Sequence, residues 1–444
     1  MIKFDPVSKT ITETTGGNSN EGMPIRDTYV KLAGWLNHQR GMLYEPVELC
    51  EKSKIAIVNV HSDSDYLDFP IAAEMAKRGY RSFGGQVFGM TLDEKLLDIK
   101  RIVEFLRAVP GVEKVILMGH SGGATLMTAY QNAAENGIQV LKSDNLIYKC
   151  TLSDDEVLPP ADGVMLLDAN WGNCAMTLFS IDPAIVEEGN GMKLDPALDT
   201  FNPENGFDPA GAHYPKEFLD KFFAAQAERN NRIVDMALER LRAIEAGEGM
   251  FKDDEPFVVA GAAQFAPCNK LFPQDLSLIA HTKAKHDLIH ADGSVTHEIV
   301  RSLRGPKFNQ SITPMNMATV QTTVRSFLSE RAVYAKPDYR FHADGVTGVD
   351  WDNVYCSAVP NVRKCHTPLL CMGMTGGYEC MASEVIYDNA ASEDKYIAFV
   401  EGATHNFSPE HEVEEFPGQF GDTEKLVFDF VDKWLSAEGR FLGK

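Results

Sequence analysis

Short apolar, β-branched runs alternate along this chain with longer segments whose apolar residues recur at helical spacing. "KIAIVNV" (54 to 60) is apolar almost throughout, as a strand buried on both faces must be. "DFPIAAEMAKRG" (68 to 79) follows as a helix closed by glycine, and "YRSFGG" (80 to 85) as the next strand and its turn. In "LDEKLLDIKRIVEFLRAV" (92 to 109), Leu96, Leu97, Ile99, Ile102, Val103, Phe105 and Leu106 recur at helical spacing, and Pro110-Gly111 ends it. The strand "KVILM" comes next, then helix formers, then "GVMLLDA" (163 to 169). Two late strands, "TPLLCMG" (367 to 373) and "KYIAFVEG" (395 to 402), precede a last helix, "TEKLVFDFVDKWL" (423 to 435). Strand and helix in alternation predict an α/β fold, a mostly parallel sheet with helices on both faces.

Between Asn170 and about Pro360 the pattern changes. Pro and Gly become frequent, and one long amphipathic helix, near Pro215 to Ala246, stands out. About 190 residues exceed any loop of a compact domain, so this stretch is expected to be an inserted second domain. The expected division is therefore 1–170 with 361–444 as one domain and 171–360 as the insertion.

Composition narrows the function classes. With 42 Lys and Arg against 64 Asp and Glu, the formal charge is -22, which repels nucleic-acid phosphates and anionic lipid. No segment approaches the roughly 18 to 20 consecutive apolar residues of a membrane span, and "MIKFDPVSKTITETTGG" lacks the basic and apolar regions of a leader. The eight cysteines, at 50, 150, 174, 268, 356, 365, 371 and 380, include no C-x-x-C pair. The expectation is a cytoplasmic protein with reduced thiols, acting on a small molecule; the acidic surface suits a homodimer as well as a monomer.

The candidate chemistry lies in "KVILMGHSGGATLMTAY". Gly119-His120-Ser121-Gly122-Gly123 fits G-x-S-x-G between a predicted strand and a predicted helix, the context that motif requires. A strand that reverses directly into a helix leaves the serine strained, with no room for side chains two residues away on either side. The turn puts Ser121 at a helix N-terminus, which favours developing negative charge, and the N–H of Gly122 is the natural first oxyanion donor. A serine hydroxyl needs a histidine base and an acid to orient it. His405, in the small-residue loop of "IAFVEGATHNF" just after the last strand, emerges on the same sheet edge and is the candidate base.

The order of strand, "VNVHSDS" loop, helix, strand, helix, "GHSGG" elbow, insertion and late histidine resembles the α/β-hydrolase superfamily over residues 54 to 170 and 365 to 437. The resemblance implies an α/β-hydrolase fold with a large, mainly helical cap inserted after the strand that follows the elbow. It implies a serine hydrolase that forms an acyl-enzyme from a carboxylic ester or lactone of a small, largely apolar molecule. Carbon–carbon bond cleavage of a diketone-like compound, or ligand binding without turnover, are the alternatives. In the family, a His-Gly loop after the third strand supplies the second oxyanion N–H; this chain has His61-Ser62-Asp63, so Asp63 or Ser62 would donate. The family's G-x-x-D acid position is taken here by Gly376. Glu379, the first carboxylate of "GMTGGYE", is therefore the favoured acid, and Asp168, at the end of "GVMLLDA", is the alternative.

Other features point elsewhere. His281, His286, His290 and His297 cluster, and His286 with His290 at i and i+4 could bind one metal on a helix, but no cysteine or paired carboxylate completes a site. Asp63, Asp65 and Asp68 lack the glycine and terminal glutamate of a calcium loop. The glycines of "FGGQVFG" match neither a phosphate loop nor a dinucleotide fingerprint, so no cofactor and no metal are inferred. Trp171, Phe179, Phe201, Phe207, Tyr214, Phe222 and Phe223 follow Asp168 and are expected mostly in the core of the insertion, where some could line an apolar pocket.

Overall fold

A computed structural model of the chain describes residues 7–11, 22–32, 39–264, 270–307 and 318–443. The strands in chain order are β1 (Val7–Ile11), β2 (Ile25–Lys31), β3 (Arg40–Pro46), β4 (Ile55–Val60), β5 (Arg81–Gly85), β6 (Lys114–His120), β7 (Gly163–Leu167) and β8 (Pro256–Ala260). They continue as β9 (His281–Ile289), β10 (Val295–Arg301), β11 (Thr319–Thr323), β12 (Ala335–His342), β13 (Gly345–Val349), β14 (Leu369–Met374) and β15 (Lys395–Val400). Eleven of them form one sheet in the order β1-β2-β3-β5-β4-β6-β7-β14-β15-β9-β10. From β5 through β9 every neighbouring pair is parallel, while β1 to β3 and β10 run antiparallel at the two edges.

Alternate side chains of each central strand enter opposite layers, as the strand period of two requires. Ala56 and Val58 of β4, with Val115 and Leu117 of β6, pack beneath the helices Leu92–Ala108 and Gly123–Asn136. Ile55, Ile57, Ile116 and Met118 face the other way, against the helices Pro70–Lys77 and Thr423–Leu435. Burying each of the Val, Leu, Ile and Met side chains among them contributes about 1.5–3 kcal/mol relative to an exposed side chain. The sheet is thus held rigidly from both faces, and its central strands end along one common edge.

The stretch 171–360 differs from the mainly helical insertion expected. Among its described residues six strands accompany the helices Asn173–Ser180, Lys216–Glu245 and Val324–Glu330. One hairpin from this stretch, β9–β10, extends the central sheet, β9 pairing in parallel with β15. Its strand character is hard to see in the sequence because the buried positions of β9 include the polar Thr282 and His286. Aromatic residues of this stretch, among them Trp171, Phe179, Phe222 and Phe223, join one apolar cluster with residues under the Gly123–Asn136 helix.

The histidine cluster lies on this hairpin and not on a helix. Along a strand, i and i+4 are about 13 Å apart, too far to share an ion. His286 and His290 each meet a separate carboxylate, Glu384 at 2.8 Å and Glu401 at 2.7 Å, and His297 meets Asp287 at 3.0 Å. The seven described cysteines are all unbridged; Cys268 lies outside the described residues, as does most of the N-terminal segment read for a leader. No helix among the described residues is long and apolar enough to cross a membrane.

Candidate active site

β6 ends at His120 and the next helix begins at Gly123, so the chain reverses over Ser121 and Gly122. Ser121 has φ +55°, one of four non-glycine residues in the left-handed region among the described residues. That conformation costs an L-residue roughly 1–2 kcal/mol. The flanking glycines have steric reasons: a Cβ on Gly119 would lie 2.6 Å from Ala124 Cα, one on Gly122 2.7 Å from Ser62 Oγ, and one on Gly123 2.8 Å from the Val60 carbonyl. The elbow is jammed between the loop after β4 and its own helix.

His405 follows β15 and reaches the same edge. Its Nδ1 lies 2.6 Å from Asp168 Oδ2, and the other carboxylate oxygen, Oδ1, accepts from the Met374 N–H at 2.8 Å. Asp168 is the first residue after β7, is fully buried, and has φ +45°. A charge-assisted bond this short fixes the ring's tautomer, with the proton on Nδ1 and the lone pair on Nε2. Among the described residues no hydrogen bond joins Ser121 Oγ to His405; such bonds are commonly loose before substrate binds.

The favoured acid of the sequence reading, Glu379, does not make this contact. It lies in the turn before the Cys380–Asn389 helix, buried beside the pair, so that donor atoms of Asp168, Glu379 and His405 all fall within 4.8 Å of one another. β7 and β14 are neighbours, so both carboxylates arrive under His405. Asp168 leaves its strand end pointing directly at Nδ1, whereas Glu379 is displaced by the turn after Met374. These three groups are also the one metal-like grouping among the described residues, but the 2.6 Å hydrogen bond already engages the imidazole Nδ1.

Burial disfavours the charged form of His405, yet the Asp168 hydrogen bond and the charges of Glu379 and Asp168 outweigh it and hold the imidazole pKa above its ordinary value. Burial raises the Asp168 carboxyl, with the hydrogen bond and charge of His405 opposing and Glu379 adding to the rise. Burial also drives His120 well below its usual pKa, reinforced by the charge of His405, so His120 is neutral. Its Nε2–H donates to the His405 carbonyl at 2.7 Å, and Tyr66 O–H donates to its Nδ1 at 2.6 Å. The residue before Ser121 therefore tethers the loop that carries His405. Tyr66 stacks on Phe69, which stacks in turn on His120.

Of the oxyanion candidates, Gly122 is the residue after the serine, and Ser62 presses against it. Asn173 Nδ2 donates to Ser62 Oγ at 3.4 Å. The Asp63 N–H donates to His61 Nδ1 at 3.2 Å, and the same ring nitrogen lies 2.7 Å from Asp63 Oδ1. Burial opposes ionisation of Asp63, but His61 and Arg331 hold its carboxyl down at about 2. The Asp63 amide is thus turned towards the His61 ring, and Ser62 is the residue seated at the elbow. Sequence reasoning missed His120, Tyr66 and Asn173. The first occupies the variable position of the elbow motif and the others carry no local signal.

No protein-family model and no curated protein matches the sequence. Among solved structures, the siderophore hydrolase EstB from Aspergillus fumigatus is 11% identical over 94% of this chain and 99% of its own, with a TM-score of 0.42. Est1E from Butyrivibrio proteoclasticus is 12% identical over 89% of this chain and 93% of its own, with a TM-score of 0.36. The match to esterase B from Lactobacillus rhamnosis, 16% identical with a TM-score of 0.29, covers 35% of this chain and about half, 52%, of that protein. Likenesses this remote carry nothing about the reaction. The parallel sheet, the strained serine elbow between β6 and its helix, and the late histidine beyond β15 make the chain an α/β-hydrolase-fold protein.

Proposed function

We propose that the protein is a serine hydrolase that cleaves a carboxylic ester or lactone of a small molecule through an acyl-enzyme. The observation that carries this reading is the conjunction of a nucleophile strained into the left-handed region with a histidine oriented by a buried aspartate at 2.6 Å. In this scheme His405 Nε2 takes the Ser121 proton as Oγ attacks the substrate carbonyl. Asp168 stabilises the imidazolium that forms, and the proton then passes to the leaving alkoxide. The N–H groups of Gly122 and Ser62 receive the oxyanion; losing one such donor typically lowers the rate about 10² to 10³-fold. Water, activated by the same histidine, releases the acyl group.

The test is labelling by a fluorophosphonate probe, with wild type compared to Ser121→Ala. Stoichiometric labelling that the substitution abolishes is the expected result, and labelling that persists without Ser121 would sink the reading. Turnover of p-nitrophenyl esters and lactones, set beside diketones, separates ester cleavage from carbon–carbon cleavage.

A further inference from the structure

We propose that Glu379 is a positioning residue for the same reaction: a second carboxylate that, with Asp168, faces His405 and holds the imidazolium formed when Ser121 gives up its proton. The proposal rests on the reading of Ser121, His405 and Asp168 as acyl-transfer machinery.

The geometry is specific. Donor atoms of Glu379, Asp168 and His405 lie within 4.8 Å of one another, although only Asp168 is hydrogen-bonded to the ring. Glu379 is held there by its surroundings. It stands at the N-cap position of the Cys380–Asn389 helix, its backbone already helical, and its Oε2 lies so near Gly377 that a Cβ there would approach to 3.0 Å. The Gly377 carbonyl accepts from Ser302 Oγ at 2.5 Å, and the Thr375 carbonyl from the Leu303 N–H at 2.6 Å, so the insertion braces this turn against the sheet edge.

The charges around the histidine follow from the same placement. From the end of β6 comes His120, neutral, its ring centroid 4.5 Å from that of His405. From β7 comes Asp168, and from the turn after β14 come Tyr378 and Glu379. The insertion contributes Lys270, buried with its Nζ 5.9 Å from the Tyr378 ring centroid, and Arg304, whose guanidinium donates to the carbonyls of Phe272, Leu278 and Ile279. Both cations feel Glu379. The imidazole therefore faces two carboxylates, one of which also acts on these two cations. Substrate turnover creates a positive charge on that ring, and a fixed negative charge about 5 Å away in a buried site stabilises it without contacting substrate.

The experiment compares the pH dependence of kcat/KM for wild type, Glu379→Gln and Glu379→Asp on p-nitrophenyl acetate, with active sites counted by fluorophosphonate. The expected result is an acid limb displaced to lower pH by about one to two units in Glu379→Gln, since removing the charge makes the imidazole easier to deprotonate. A roughly tenfold lower plateau in kcat, an unchanged KM and substantial recovery in Glu379→Asp complete the pattern. An unmoved limb at full labelling overturns the proposal, as does a change confined to KM, which would make Glu379 a substrate contact. Should Glu379→Gln fail to fold, Lys270→Met provides the complementary arm: removing the offsetting cation must move the limb to higher pH, and an unmoved limb again overturns the proposal. Absence of Ser121 labelling in wild type is a separate outcome, and refutes the underlying hydrolase reading instead.

Discussion

Replacing Asp168 by asparagine tests the proposed triad most directly, because the substitution is isosteric and the structure states what each atom of the carboxylate does. Oδ1 accepts from the Met374 N–H and Oδ2 accepts from His405 Nδ1. An asparagine has one oxygen and one NH₂. If the oxygen keeps the Met374 contact, the amide nitrogen faces His405 and can only donate, which forces the imidazole proton onto Nε2 and leaves no lone pair for Ser121. The alternative flip leaves an NH₂ against the Met374 N–H, two donors face to face in a buried site. Loss of a charged hydrogen bond alone costs about 1.5–3 kcal/mol, or roughly 10- to 150-fold. The wrong tautomer adds to it, and the combined expectation is a fall in kcat of about 10³ to 10⁴, equivalent to about 4–5.5 kcal/mol of transition-state stabilisation. Asparagine tolerates the φ of +45° at this position, so the fold should survive. The assay is p-nitrophenyl butyrate hydrolysis normalised to titrated active sites, with circular dichroism and Tm as controls. A well-folded Asp168→Asn enzyme within tenfold of wild type would refute the assignment, and a collapse in Glu379→Gln alone would return the acid role to Glu379.

Three further outcomes follow from the same geometry. Gly122→Ala places a Cβ 2.7 Å from Ser62 Oγ and 3.3 Å from Asn173 Oδ1, so it should spread the two proposed oxyanion donors and lower kcat by about 10²-fold or more; steady-state kinetics on a simple ester checks this. Because the carboxylates hold the His405 pKa above its ordinary 6.5, activity requires deprotonation at a pH above that value: kcat/KM should rise with pH through a midpoint above 6.5, and a midpoint below it contradicts the electrostatics described. Tyr66→Phe removes the donor to His120 Nδ1 and leaves a buried acceptor unpaired. The expected cost is about 1–3 kcal/mol of stability, read from denaturant unfolding, with a smaller loss of kcat as the His405 loop loosens.

Much of the framework was legible locally. The unbroken apolar run of β4 marks a strand buried on both faces and the stripe of residues 92 to 108 a period of 3.6, and both signals depend only on neighbours a few positions away. The elbow was legible for the same reason: Gly119, Ser121, Gly122 and Gly123 answer steric demands within one tight turn and the loop beside it. The hairpin β9–β10 was not, since it buries Thr282 and His286 where a strand pattern calls for apolar residues; His286 is acceptable there only because Glu384, 98 residues away in sequence, meets it at 2.8 Å.

What the sequence by itself determined, then, is the alternating α/β plan, the position of Ser121 in its strained turn and the arrival of His405 after the last strand of the core pattern. Only the tertiary structure decided which carboxylate meets that histidine. Asp168 and His405 are 237 residues apart, and both acids stand at the ends of adjacent strands, so nothing in local spacing distinguishes them. The choice depends on a backbone angle at the end of β7 and on a turn that carries Glu379 aside. Likewise the tether from Tyr66 through His120 to the His405 carbonyl exists only because β6 lies between the loop after β4 and the strands that deliver His405. Periodicity is a property of a segment, whereas a hydrogen bond between strand ends is a property of strand order and register, which the chain acquires only on folding.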